Sequence, residues 1–134
     1  MGTWGPGIFE NDETMDFLWE VEEGGVEALR DAFTQVIDAA GRAESWAEST
    51  AVAAAAIVAA AYDDRVDLLP EEAVAALPDL RAAITGDPGL RDTARRAVHL
   101  VLTGDSELLE LWRASGESDA AIEAIAEVQK RFSD

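Results

Sequence analysis

Cysteine is absent from this chain of 134 residues, and histidine and tyrosine occur only once each. The absence of cysteine excludes disulfides, thiolate metal ligands and a cysteine nucleophile, so the fold must rest on side-chain packing. It also fits a reducing compartment. The first residues show no basic segment followed by a hydrophobic run, so we expect no signal peptide and a cytoplasmic protein.

Basic residues are also scarce, with 10 Lys and Arg against 28 Asp and Glu, which gives a formal net charge of -18. This charge repels nucleic-acid backbones and anionic lipid surfaces, so we expect binding to neither. A basic protein partner is the expected counterpart, although the same charge also promotes solubility. The longest apolar run, residues 51–61, is shorter than the ~20 residues that a bilayer requires, and we expect no membrane span.

The N-terminal segment combines glycines with large apolar side chains. Its glycines and Pro6 favour tight turns, and Asn11 is a suitable N-cap for a helix whose first turn carries acidic residues. We therefore predict an ordered loop over residues 1–11 that packs against the helices of residues 12–134. The segment's candidate structural or binding residues are Trp4, Gly5, Gly7, Phe9, Asn11, Asp12 and Asp16.

The order of residues over positions 1–17 is Met-Gly-x-Trp-Gly-x-Gly-x-Phe-x-Asn-Asp-x-x-x-Asp-Phe. This pattern resembles the signature of the bacterial family known as domain of unknown function 4259. The resemblance implies a bacterial origin and a related fold. It implies no activity and no catalytic residues.

Apolar residues in the remainder recur at three- and four-residue spacing, and no segment shows sustained period-two alternation. We therefore predict an all-α fold without a sheet, a compact single domain of about six to seven helices over residues 1–134. The third helix, rich in alanine, is expected to be the central and most buried element. Pro78 is expected to divide the fourth helical region into two short pieces. The predicted helical segments begin near residues 12, 26, 45, 71, 89, 107 and 119.

The large aromatic residues are expected to anchor the core, as they usually do in an alanine-rich bundle. This expectation covers Trp4, Trp19, Trp46 and Trp112. In the sixth helix the predicted buried side consists of Leu108, Leu111 and Trp112.

Asn11, Asp12 and Asp16 form the sharpest polar cluster, because Asp12 and Asp16 lie one helical turn apart. One interpretation is a site for calcium or magnesium. The interpretation that we favour is structural: Asn11 and Asp12 cap the helix, and Asp16 accepts hydrogen bonds from the N-terminal loop. No metal site is therefore predicted.

Arg91, Arg95 and His99 follow one another at four-residue steps on one face of a predicted helix. Such a stripe could bind a phosphate or carboxylate ligand, or contact a partner. The favoured alternative is an anchor between helices, in which the arginines pair with acidic residues of a neighbouring helix.

No stretch carries a recognisable catalytic motif, so we expect a protein that is not an enzyme and needs no cofactor. The first hypothesis is an acidic protein-interaction domain, such as an immunity-like factor or an adaptor. The alternative is a domain that binds a small ligand or a divalent cation through Asn11, Asp12 and Asp16, or through Arg91, Arg95 and His99.

Overall fold

Seven helices occupy the part of the chain that the computed structural model describes, which is residues 12–39, 44–65, 69–103, 107–116 and 118–132. No strand occurs within these ranges, so the predicted all-α class is confirmed. The helices are α1 (Asp12–Gly24), α2 (Val26–Asp38), α3 (Ser45–Asp63), α4 (Glu71–Thr85), α5 (Pro88–Thr103), α6 (Glu107–Ser115) and α7 (Ser118–Lys130). None of them is long and apolar enough to cross a membrane.

Helix α3 lies at the centre of the bundle and contacts each of the other six helices. Every residue from position 47 to position 61 is buried, which confirms the prediction for this segment. Alanine side chains occupy little volume, so neighbouring helices can approach the α3 backbone from several sides. The fold is therefore organised around the element with the smallest side chains.

Helices α2 and α5 are amphipathic, and their buried faces follow the spacing of apolar residues along the chain. Leu29, Ala32, Phe33 and Val36 of α2 are buried. The five residues predicted to face inward from α5 are all buried: Leu90, Ala94, Ala97, Val98 and Val101. Both helices pack against α3 and against each other, so these three elements form the middle of the core.

Gly25 provides the reversal between α1 and α2. Its φ of 61° lies in the left-handed region, which residues other than glycine rarely adopt. Its N–H still donates to the carbonyl of Val21 at 2.7 Å, so α1 ends and α2 begins with a single residue between them. The two helices therefore lie side by side and can share a surface.

Helix α4 is continuous through Pro78, so the predicted division into two pieces is wrong. A proline cannot donate a hydrogen bond to the carbonyl four residues earlier, here that of Val74. Val74 and Pro78 are both exposed, so the missing bond lies on the solvent side of the helix. Ala73, Leu77, Leu80 and Ile84 are buried on the other side and hold both halves against the core.

Three further expectations about burial are wrong. Trp19 is 71% exposed, Trp46 is 46% exposed and Leu111 is 55% exposed. Trp19 lies two residues from the buried Phe17 and Val21, on the outer face of α1. Among the described helices, α6 packs mainly against α3 and α7, so it has fewer neighbours that could cover Leu111. Trp112 is half-buried, and Trp4 lies outside the described residues.

Glu48 is a fully buried carboxylate in the first half of α3. Its Oε1 accepts the backbone N–H of Leu108 at 3.0 Å, at the start of α6. The first N–H groups of a helix have no partner within the helix, and the N-terminal end favours negative charge. Glu48 therefore joins the central helix to the N-terminus of α6.

Candidate functional site

An acidic groove runs between α1 and α2, next to the start of α3, and has a volume of about 670 Å3. Its carboxylates come from both helices at spacings of three and four residues, which places each set on one helix face. They are Asp16, Glu20 and Glu23 of α1, and Glu27 and Asp31 of α2. Two like-charged helix faces thus lie across one concave surface.

One arginine partly neutralises this surface. Arg30 forms ion pairs with Glu27 and with Asp87. The hydrogen bonds that Arg30 donates to Asp87, first, and to Glu27 raise the pKa of Arg30 above its ordinary value. Asp16, Glu20, Glu23 and Asp31 form no ion pair within the described part of the chain.

Trp46 contributes an aromatic surface to the acidic groove. Its indole N–H donates to the carboxylate of Glu44, just before α3 begins. The ring remains 46% exposed beside the carboxylates. An aromatic ring next to negative charge is a suitable surface for a cationic side chain, which both features attract.

Of the predicted N-terminal signature residues, some lie within the described part of the chain and others do not. Asp16 is exposed and lines the acidic groove. Asp12 begins α1, but its side chain lies outside the described part. Trp4, Gly5, Gly7, Phe9 and Asn11 lie outside the described residues altogether. Among the residues that are described, no group of three His, Cys, Asp or Glu side chains is placed to hold a metal ion.

A basic groove of about 430 Å3 lies between α5 and α7. It contains the predicted residues Arg95 and His99, and the sequence did not indicate its α7 wall. The lining residues are Arg95, Arg96, His99 and Leu100 of α5 with Gln129 and Lys130 of α7. Nδ1 of His99 lies 3.3 Å from Nε2 of Gln129, so the two helices make a polar contact across the groove.

Arg91, the third residue of the predicted stripe, lies in a neighbouring cavity. Its guanidinium carbon is 5.5 Å from the ring centroid of Tyr62 and 5.8 Å from that of Phe132. These distances are typical of cation–π contacts. The structure thus brings Arg95 and His99 together and places Arg91 against two aromatic rings near the ends of α3 and α7.

An ion pair at this end of the bundle fastens the segment after α7 to α3. Arg131 donates through Nε and Nη2 to the two carboxylate oxygens of Asp63, each at 2.8 Å. Nη2 also donates to the carbonyl of Arg65 at 2.9 Å. The side chain of Arg131 is only 3% exposed. The hydrogen bonds from Arg131 hold the pKa of Asp63 below its ordinary value.

This lowered pKa predicts an acid-sensitive contribution to stability. A carboxyl whose pKa is lower in the folded state stabilises the fold above its ordinary value, here 3.8, and loses that effect as the pH falls through the folded pKa. We expect Arg131→Gln to lower the free energy of unfolding by about 2 kcal/mol at pH 7, the order of a hydrogen bond to a charged group. The difference from the unsubstituted protein should shrink below pH 4, as measured by urea unfolding between pH 7 and pH 2.5.

Arg81→Gln is the matched control for that experiment, because Arg81 pairs with Asp64 at 2.6 Å through side chains that are 42% and 72% exposed. An exposed pair typically contributes no more than ~1 kcal/mol. If the effect of Arg131→Gln were equal at pH 7 and pH 2.5, titration of Asp63 would not be its source.

A family model described as a domain of unknown function, DUF4259, matches residues 2–130 of the chain. The match spans nearly the whole sequence, and the chain therefore belongs to this family. No curated protein and no protein of solved structure matches it at a significant level.

Proposed function

We propose that this member of the DUF4259 family is a non-enzymatic interaction domain of the immunity-factor or adaptor kind, acting in the bacterial cytoplasm. Its acidic groove would bind a basic segment of another protein. The observation that carries the proposal is a set of four carboxylates that face one another across a groove with an exposed tryptophan and form no ion pair with any described residue. They are Asp16, Glu20, Glu23 and Asp31.

The concave arrangement distinguishes this groove from an ordinary solvated helix face. Like charges three or four residues apart destabilise a helix by roughly 0.2–0.5 kcal/mol per pair. Here a second acidic helix adds its own charges across the groove, where a low-dielectric wall concentrates the field. A basic segment in the groove would relieve both repulsions, which supplies a driving force for binding.

Trp46 indicates what kind of basic segment would fit. A lysine or arginine over an indole face contributes about 0.5–2 kcal/mol, and the ring can also cover an apolar side chain. The groove between two adjacent helices favours an elongated partner such as an amphipathic helix. We therefore propose a helical segment with lysine or arginine on one face.

A charge-neutral substitution of one helix face tests the proposal. The triple variant Asp16→Asn, Glu20→Gln and Glu23→Gln should weaken binding of a synthetic lysine- and leucine-based amphipathic peptide at least tenfold. That loss corresponds to roughly 0.5 kcal/mol for each carboxylate, within the range for exposed ion pairs. Isothermal titration calorimetry in 50 mM and 300 mM salt would give the affinities, and the peptide should bind more weakly in the higher salt.

The control variant removes the same number of carboxylates from the exposed face of α4, with Glu71→Gln, Glu72→Gln and Asp79→Asn. Both variants have equal net charge, so general attraction of a cationic peptide changes equally in both. The proposal requires the control to retain its affinity within about twofold. Equal losses in both variants would show that the peptide responds to net charge and not to the groove, and would contradict the proposal.

A further inference from the structure

We propose that the basic groove between α5 and α7 is a binding site for a small organic phosphate. Three of the ten basic residues of the chain, Arg95, Arg96 and Lys130, line it together with the single histidine. Among the described residues no carboxylate lines it, although acidic residues outnumber basic ones by 28 to 10 in the whole chain.

The cations of the groove are only weakly engaged with other groups. Arg95 lies 3.8 Å from Asp92, and Lys130 lies 3.4 Å from Glu127; both pairs are between exposed side chains one helical turn apart. Such pairs typically contribute little, so a ligand can displace them at small cost. Arg96 is exposed and has no ion pair within the described residues. The charges are therefore available to an incoming anion.

The neighbouring cavity differs in this respect. Two of its arginines are already used within the fold, because Arg131 is bound to Asp63 and Arg91 lies against two aromatic rings. Those contacts fix the segment after α7 and so position Lys130 beside α5. Within the described part of the chain, Arg95 and Arg96 make no comparable contact.

The arrangement of donors favours phosphate over carboxylate. Arg95 and Arg96 approach from α5, whereas Lys130 and Gln129 approach from α7. A phosphate monoester presents three acceptor oxygens in a tetrahedral arrangement and carries close to two negative charges at pH 7. It can accept from both walls at once, and guanidinium groups match its geometry. Leu100 provides an apolar contact for the organic part of the ligand.

The net charge of the protein restricts the ligand to a small molecule. At physiological ionic strength the Debye length is about 8 Å, so a compact anion inside the groove interacts mainly with the cations next to it. A polyanion such as nucleic acid, or an anionic membrane, would extend over the acidic surface and be repelled. The volume of about 430 Å3 is within the usual range for small-ligand sites.

The single histidine makes the site directly observable. Glucose 6-phosphate and inorganic pyrophosphate would be titrated into the full chain, and the ring resonances of His99 followed by NMR at constant pH, with sodium chloride added to equal ionic strength. We expect saturable shifts with a dissociation constant on the order of 1 mM, typical of a site with few polar contacts. We also expect the ligand, at a concentration of about ten times its dissociation constant, to raise the melting temperature of the protein by about 5 °C.

The double variant Arg95→Gln and Arg96→Gln should weaken binding at least tenfold. Arg113→Gln is the control, because Arg113 is an exposed arginine on α6 that pairs with Glu110 at 2.9 Å. Its loss should leave the affinity unchanged. The proposal would be overturned by shifts that sodium chloride reproduces, by equal affinity for succinate, or by equal losses in the two arginine variants. None of these results depends on whether the acidic groove binds a protein.

Discussion

Glu48→Ala is expected to lower the free energy of unfolding by about 3 kcal/mol. The carboxylate of Glu48 is fully buried and accepts the N–H of Leu108 at the start of α6. A hydrogen bond to a charged acceptor contributes about 1.5–3 kcal/mol, and charge at a helix N-terminus adds up to about 2 kcal/mol in a partly buried place. Alanine would remove both and leave the Leu108 N–H without its acceptor. Urea unfolding at pH 7, followed by circular dichroism, measures the change.

Two variants show whether the carboxylate itself is responsible. Glu48→Gln keeps an acceptor for Leu108 but removes the negative charge, so its loss should be about 1 kcal/mol, close to the value of a neutral hydrogen bond. Glu72→Ala, at an exposed position of α4, should change stability by less than about 0.5 kcal/mol. A buried charge also carries a desolvation cost. A Glu48→Ala protein as stable as the original would mean that this cost cancels the benefit of the contact with α6.

Hydrogen exchange would locate the effect. The N–H of Leu108 donates to Glu48, so the Glu48→Ala substitution should accelerate amide exchange mainly in α6. The amides of α2 and α5, which make up the middle of the core, should be accelerated less. Uniform acceleration throughout the chain would instead indicate a general loss of stability. Acceleration confined to α6 would show that Glu48 stabilises the packing of α6, whereas uniform acceleration would show that it contributes to the central core.

The helices themselves could be predicted because their cause is local. In α5 the apolar residues repeat every three or four positions, and all five predicted to face inward are buried. In α3, apolar residues on every side of the helix predicted a central position, and the structure confirms it. Each of these predictions needs only the periodicity of one segment. Neither requires knowledge of which helices are neighbours.

The features that the sequence did not predict correctly depend instead on which residues of other helices lie next to them. Pro78 is tolerated because the residues that pack on the core lie on the other side of α4, and sequence alone does not show that. Trp19 and Trp46 have large aromatic side chains that are typical of a core, but no described helix covers them. Glu48 looks like an ordinary polar residue near a helix start until α6 is placed against it.

Neither groove was predicted as a cavity, for the same reason. The acidic run of α1 and the stripe of Arg95 and His99 are visible as helical spacings in the sequence. The second wall of each groove comes from another helix: Asp31 and Glu27 of α2 in one case, and Lys130 of α7 in the other. A concave site therefore requires the packing of helices. The sequence shows the charged residues of each helix but not which helices lie opposite each other.

Ala55→Leu should destabilise the protein by about 3 kcal/mol or more, even though leucine is a strong helix former and more apolar than alanine. Ala55 is fully buried in α3, and so are the residues before and after it. Every side of this segment is enclosed, so three additional carbon atoms have no space to enter. Overpacking of this kind typically costs 1–3 kcal/mol, and the cost rises where neighbours cannot shift.

The control is Ala83→Leu, at an exposed position of α4, where the same chemical change should alter stability by less than about 0.5 kcal/mol. Ala55→Gly supplies the opposite perturbation and should cost at least the ~1 kcal/mol of helix propensity. Both Ala55→Leu and Ala55→Gly should lower the melting temperature, because the close packing around α3 is disturbed by a larger side chain and by the loss of the methyl group. A neutral or stabilising Ala55→Leu would show that space remains between α3 and its neighbours. Close approach of the other helices to an alanine backbone would then no longer explain why α3 lies at the centre of the bundle.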